Sequence, residues 1–195
     1  MKGVVFTEFL DFVSAIHGPD MVDDIIDDAA PPNGGAYTAI GTYPHTEMGA
    51  LVAALAKRIS APAPDLLSAF GSHLCKRFTL KYPEFFRDKT TLFDFLASVD
   101  NHIHVEVHKL YPDAELPKFR LTPRGLDAID MDYESCRPLE SLAEGMIRAA
   151  AEHYRQPITI ERTRMEDANG AFVRFSIRHV AAEIAPRHAV RRQAA

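Results

Sequence analysis

The sequence predicts an α+β fold, in which helices occupy the N-terminal part of the chain and strands follow near its C-terminal end. Apolar residues recur at helical spacing in a series of segments before Pro112. After Pro112, short segments alternate apolar and polar residues, as half-buried strands do. The segment 167–170, DANG, separates the last two of these and has the composition of a hairpin turn. A chain of 195 residues is long enough for one domain with its own core.

Five helices are predicted before the strands, each with a recognisable boundary. Gly18 and Pro19 end the first helix. The proline-containing segment 61–64 separates the third helix from the fourth, and Pro83 ends the fourth. A fifth helical region begins near Thr91 and carries a continuous apolar stripe. The five predicted ranges are 4–16, 21–29, 46–59, 65–82 and 91–107.

The C-terminal part is predicted to contain four strands and one more helix. In order, the predicted elements are strand 119–122, strand 128–135, helix 139–154, strand 158–165 and strand 172–179. Residues 1–180 are therefore expected to form a single domain, and residues 181–195 a flexible tail.

Composition and charge narrow the possible functions and the compartment. The net charge of −5, from 22 basic and 27 acidic residues, gives no support for nucleic-acid binding. No apolar run approaches the length of a membrane span, and Glu8 and Asp11 come too early for a signal peptide. Cys75 and Cys136 do not make a disulfide framework, and Cys75 is expected to be an inert buried thiol. We therefore expect a cytoplasmic protein that binds neither nucleic acid nor membranes.

His104 is the first candidate for a site residue. It follows the core position Ile103 on the fifth predicted helix, about 100° further round, at the border of the apolar face. An imidazole at such a border can point into a cavity and bind a haem iron from one side. Most single histidines there are structural, and His104 and His108 also have the i, i+4 spacing of zinc ligands. A zinc-dependent hydrolase using His102, His104 and His108, with Glu106 as base, is therefore an alternative.

Tyr133, Ser135 and Arg137 form the second candidate group. They alternate at the end of a predicted strand and should share one face. The two hydroxyls can donate hydrogen bonds, and the arginine fork can bind a carboxylate through two N–H groups. Any exposed strand edge can carry this pattern. In combination with His104, it indicates a pocket for haem, which has two propionate carboxylates.

Over residues 1–179 the chain resembles the heme-nitric oxide/oxygen-binding (H-NOX) family, whose bacterial members are stand-alone gas sensors and which also provides the sensor of soluble guanylate cyclase. The matching segments are MKGVVFTEFL (1–10), GAYTAIGTY (35–43), AFG (69–71), YPEFF (82–86), 104–117 and YESCR (133–137). The last two are specific in combination. The resemblance implies a helical distal lobe, about residues 1–65, and a proximal lobe over residues 66–180 with a four-stranded antiparallel sheet. Haem would be buried between the lobes.

The resemblance also implies roles for the two candidate groups. His104 would be the proximal ligand of the iron of haem b. Tyr133, Ser135 and Arg137 would hold the propionates. Pro117, thirteen residues after His104, would press on the porphyrin and help to distort it.

Six apolar residues are implied on the gas-binding, distal side of the haem. They are Val5, Phe9, Leu74, Phe78, Leu142 and Met146. Members of the family that hold O2 have a distal tyrosine on the helix after the Tyr-x-Ser-x-Arg segment, and Leu142 stands at that position here. Bound O2 needs a hydrogen-bond donor, whereas NO on ferrous iron needs much less help. The resemblance therefore implies that NO and CO bind and that no stable O2 complex forms.

The function implied is a switch, not an enzymatic reaction. NO binding to the ferrous iron is expected to weaken the bond to His104, so that the lobes shift and a partner reads the change. In the family this partner is typically a histidine kinase or a cyclic-dinucleotide enzyme. The chain is too short for a recognisable catalytic output domain, so we expect the partner to be a separate protein. A haem-free, protein-binding scaffold is a further alternative beside the zinc hydrolase.

Overall fold

The predicted α+β architecture is confirmed by a computed structural model, which describes residues 1–168 and 170–180. The predicted tail, residues 181–195, lies outside the described residues. Helices come first, and four strands with one intervening helix follow. The helices are α1 Gly3–His17, α2 Pro19–Ala29, α3 His45–Ile59, α4 Ala63–Lys81, α5 Glu84–Arg87, α6 Leu92–Ser98, α7 His104–Leu110 and α8 Glu140–His153. The strands are β1 Lys118–Pro123, β2 Ala128–Glu134, β3 Ile158–Asp167 and β4 Gly170–His179.

The four strands form one antiparallel sheet in the order β1-β2-β4-β3. Side chains alternate between its two faces, as the pleat requires. Met131 of β2 pairs with Phe175 of β4, and both are buried. On the opposite face Asp132 pairs with Arg174, whose Nε and Nη2 donate to the two carboxylate oxygens at 2.6 and 2.9 Å. The sheet thus has one apolar face and one face of ion pairs.

Two apolar clusters fill the interior and meet along α4. The N-terminal cluster is built from α1–α3 and the first part of α4, and it includes Leu74. The sheet cluster includes Cys75, the next residue, together with side chains from α6, α8 and the strands. Phe78 of α4 and Met146 of α8 pack against both clusters. That the lobes divide near residue 65 stays a prediction.

Helices α4 and α8 approach each other through glycines. A Cβ atom added to Gly71 would lie 2.1 Å from the main-chain oxygen of Leu142. A Cβ atom added to Gly145 would lie 2.0 Å from the main-chain oxygen of Ser68. No side chain fits at either position unless the helices separate. This close contact places Leu142 and Met146 of α8 against the cluster that contains Leu74.

The fifth predicted helix is divided into three parts. After α6, residues Val99–Ile103 form a π-helical turn, and α7 begins at His104. The His104 N–H donates to the oxygen of Val99, which is the i−5 bond of a π-helix. The apolar stripe did not reveal the turn, because a single inserted residue barely changes helical spacing over such a short segment. Single π-turns inside helices occur frequently at functional sites.

Glu8 of α1 is a buried carboxylate that joins α1 to α4. Only 1% of its surface is exposed. Arg77 Nε donates to Glu8 Oε2 at 2.8 Å, and Lys81 Nζ donates to Oε1. Burial raises the pKa of Glu8, but hydrogen bonds from Lys81 and Arg77 outweigh it and leave the pKa below its ordinary value. The carboxylate is therefore ionised at neutral pH and contributes to folding stability.

Replacing this carboxylate should destabilise the protein in a pH-dependent way. Glu8→Gln is expected to lower the free energy of unfolding at pH 7 by about 2 kcal/mol, because charge-assisted hydrogen bonds are lost. The folded-state pKa lies below the ordinary 4.5, so the wild-type advantage is full above that value and declines as the pH falls through the folded-state pKa. Urea unfolding of both proteins at several pH values measures the difference.

The matched control is Glu152→Gln. Glu152 of α8 pairs with Lys76 of α4 at 2.9 Å, but both side chains are largely exposed. The control should change the free energy of unfolding by less than about 1 kcal/mol. Equal effects of the two substitutions on the free energy of unfolding would show that burial of the Glu8 carboxylate adds nothing to its contribution to stability.

Candidate functional site

His104 is the first residue of α7, and its imidazole is held in one orientation. Its side chain is 15% exposed, and Nδ1 lies 3.1 Å from Oδ1 of Asp100 in the π-helical turn. Burial lowers the pKa of His104, and the hydrogen bond with Asp100 opposes this only in part. The ring is therefore neutral at pH 7, the form that binds metals. Within the described residues Nε2 has no hydrogen-bond partner, and the Asp100 contact at Nδ1 would leave it available to a metal.

A row of aromatic rings connects His104 to β2. The centroid of the His104 ring lies 5.7 Å from that of Phe119 in β1. Phe119 pairs in register with Tyr133, and these two ring centroids are also 5.7 Å apart. Pro117 is half-buried directly before β1, two residues from Phe119. The structure thus brings together the predicted iron ligand and the first residue of the predicted carboxylate-binding group.

Tyr133, Ser135 and Arg137 are grouped by a bend, not by strand alternation. Strand β2 ends at Glu134, so the predicted strand end at residue 135 is wrong by one residue. The Arg137 N–H donates to Ser135 Oγ at 3.1 Å, a local bond that turns the backbone away from the sheet. Tyr133 Oη donates to the Arg137 carbonyl at 3.5 Å. Burial raises the pKa of Tyr133, so its hydroxyl keeps its proton.

Arg137 has a buried donor that is not hydrogen-bonded within the described residues. The residue is 8% exposed, and its Nη1 and Nη2 donate to the main-chain oxygen and to Oε2 of Glu115 at 2.6 and 2.5 Å. Its Nε is buried and has no partner among the described residues. Such an unpaired buried donor costs about 1–3 kcal/mol. On the ion-pair face of the sheet, the corresponding Nε of Arg174 donates to a carboxylate oxygen of Asp132. A carboxylate ligand would therefore fit Arg137 Nε.

The six predicted distal residues lie on three helices around the N-terminal cluster. Phe9 and Leu74 are buried in it. The other four pack against it while partly exposed, namely Val5, Phe78, Leu142 and Met146. Their side chains offer no hydroxyl or amide donor. A small molecule held among them would meet apolar atoms.

The zinc-site alternative finds no support. His102 and His108 are exposed, and His102 packs its ring against Phe85 at 6.0 Å. Among residues 1–168 and 170–180, no group of three or more His, Cys, Asp or Glu side chains could hold a metal ion. A single imidazole with a free nitrogen suits a metal that brings most of its own ligands, as haem iron does.

The two cysteines lie in different surroundings. Cys75 is buried in the sheet cluster, and burial raises the pKa of its thiol to about 12. It is therefore a protonated, unreactive thiol at neutral pH. Cys136 is exposed in the bend between Ser135 and Arg137.

No helix in the described part of the chain has the length and hydropathy that a membrane span requires.

Three residues near the candidate site were not predicted. Asp100 could have been found, because it stands at i−4 from His104, where a helical carboxylate reaches an imidazole. Phe119 could also have been found, since it alternates with Leu121 on the apolar side of a predicted strand. Glu115 gave no signal, since it lies in a loop where no period applies.

Comparisons with known proteins identify the family of the chain. The model of the haem-NO-binding family matches residues 2–162. The structure of the unliganded Fe(II) A71G mutant of the K. algicida H-NOX protein is 36% identical, with a TM-score of 0.87, covering 94% of this chain and 98% of that one. The S. oneidensis H-NOX protein in its Fe(II)NO ligation state is 26% identical, with a TM-score of 0.84, covering 92% and 99%.

No curated protein matches the sequence. The family model nevertheless spans most of the chain, and the structural likeness extends over the helices and the sheet together. The chain therefore belongs to the haem-NO-binding, or H-NOX, family.

Proposed function

We propose that the protein is a cytoplasmic sensor of NO, and also of CO, that uses haem b and signals to a separate partner without catalysing a reaction. One observation carries the proposal most directly. A neutral, oriented imidazole lies at one end of a row of packed rings, and Tyr133 at the other end donates to the main chain of Arg137, whose buried Nε is unpaired. Haem is a group that needs both a nitrogen ligand for its metal and partners for its carboxylates.

Each predicted residue has a distinct part in holding haem. His104 would bind the iron through Nε2, with Asp100 fixing the ring from the other nitrogen. Arg137, Tyr133 and Ser135 would hold the propionates, and the raised pKa of Tyr133 keeps its hydroxyl a donor. Pro117 would press on the porphyrin. When bound, haem would supply a ferrous iron that can bind a diatomic gas.

The choice of gas follows from the distal side chains. The six predicted distal residues are apolar and cannot donate a hydrogen bond to bound O2. NO and CO do not depend on such a donor. The S. oneidensis relative is known in an Fe(II)NO ligation state, which supports NO as the ligand for this chain. Leu142 is the position at which a hydroxyl would have changed this preference.

The signal would start at the π-helical turn. His104 follows the turn directly, so any displacement of its ring would act on Val99–Ile103 and on α7 together. The change can shift a conformational equilibrium only by the difference in ligand affinity between the two states. A histidine kinase or a cyclic-dinucleotide enzyme would read the shift, as in the family.

Absorption spectroscopy of the purified protein tests the proposal. The ferrous protein is expected to show a Soret band that moves when NO or CO is added. Exposure of the ferrous protein to air should leave no lasting spectrum of an O2 complex, because the distal residues provide no donor. A colourless protein that takes up no haem would refute the haem site, whereas a stable O2 spectrum would refute only the distal assignment.

A further inference from the structure

Glu115 binds the side chain of Arg137 from the loop between α7 and β1. We propose that Glu115 is a positioning residue for haem retention, which fixes the Arg137 guanidinium and leaves its Nε free to donate to a propionate. The inference rests on the proposed haem site and adds a residue outside the Tyr-x-Ser-x-Arg segment. It starts from two contacts that one residue makes with one guanidinium.

The two contacts determine which nitrogens remain free. Glu115 accepts from Nη1 with its main-chain oxygen and from Nη2 with its carboxylate, so it takes both terminal nitrogens. The Arg137 main-chain N–H is held by Ser135 Oγ. With its backbone and both terminal nitrogens held, Arg137 has little freedom to turn, and Nε remains buried and unpaired.

Glu115 binds Arg137 through other nitrogens than those through which Asp132 binds Arg174. Asp132 takes Nε and Nη2 of Arg174 together, so the Nε side of that guanidinium is already occupied by a carboxylate. Glu115 takes Nη1 and Nη2 of Arg137 instead and leaves Nε. The Glu115 side chain is 76% exposed, whereas that of Arg137 is 8% exposed. Glu115 therefore pairs a buried charge from the solvent side.

Haem transfer to a scavenger protein such as apomyoglobin measures this role without any gas or partner. Glu115→Ala should raise the rate of haem loss about three- to fivefold, because the carboxylate contact to Arg137 is lost while the main-chain contact remains. Glu115→Gln keeps an acceptor oxygen and should restore most of the wild-type rate. Glu161→Ala, which removes an exposed carboxylate from β3, is the control and should not change the rate.

A double-mutant cycle separates positioning from a general effect on stability. In an Arg137→Ala background, Glu115→Ala should no longer change the rate of haem loss, because Glu115 acts through Arg137. If Glu115→Ala leaves haem loss unchanged or slows it in the otherwise wild-type protein, the inference is wrong and the proposed function stands. A wild-type protein that holds no haem would overturn both.

Discussion

His104→Gly is expected to yield a protein that purifies largely without haem. The imidazole is the one predicted protein ligand of the iron, and loss of a mere supporting contact to a metal ligand already costs about 10–100-fold in affinity. We expect the dissociation constant for haem to rise by more than about 100-fold. Adding imidazole to the buffer should restore binding, because the free ring can occupy the space that the side chain leaves. Titration of the apoprotein with haem, with and without imidazole, gives both values.

The control for this experiment is His108→Gly. His108 lies one turn further along α7 and is exposed, so the substitution repeats the loss of helix propensity, about 1 kcal/mol, without touching the site. It should retain haem. Haem retention by His104→Gly in the absence of imidazole would contradict the ligand assignment, and haem loss by both variants would indicate a general effect on α7.

Gly145→Ala is expected to have the largest effect on stability. The added Cβ would overlap the Ser68 carbonyl at 2.0 Å, and a main-chain atom in the middle of α4 cannot move aside alone. We expect the free energy of unfolding to fall by about 2–3 kcal/mol, despite the better helix propensity of alanine. Chemical denaturation monitored by circular dichroism measures the change.

Gly49→Ala provides the matched control, because Gly49 is also a helical glycine. It is exposed on α3, and a Cβ there would meet nothing within 4 Å. The same substitution should raise the free energy of unfolding by about 0.5–1 kcal/mol. If Gly145→Ala were also stabilising, the close contact between α4 and α8 would not be a constraint on the fold.

The fold could be predicted from the sequence wherever a period was long enough to repeat. The stripes of α1 and α4 and the alternation in β3 and β4 each extend over at least ten residues, and all four elements were found. Helix α5 has only four residues, too few for a helical pattern, and was missed. The π-helical turn was missed because the residues on both sides of it are helical, so the apolar pattern continues through it.

The candidate site could be predicted only in part. Residue type and spacing pointed to His104 and to the group Tyr133, Ser135 and Arg137, because these residues have a chemistry of their own. How they are held depends on contacts between distant segments. Glu115 and Arg137 are 22 residues apart, and no local pattern relates a loop carboxylate to a guanidinium after a strand. The unpaired Nε likewise becomes visible only when burial is known.

Helix α4 has a consequence for how the protein unfolds. Its first part contributes Leu74 to one apolar cluster, and its next residue, Cys75, belongs to the other. If either cluster unfolded, α4 would lose packing on one side and could no longer hold its side chains in the other cluster. Two cores joined through one continuous helix should therefore be lost together, in a single all-or-none unfolding transition of both cores.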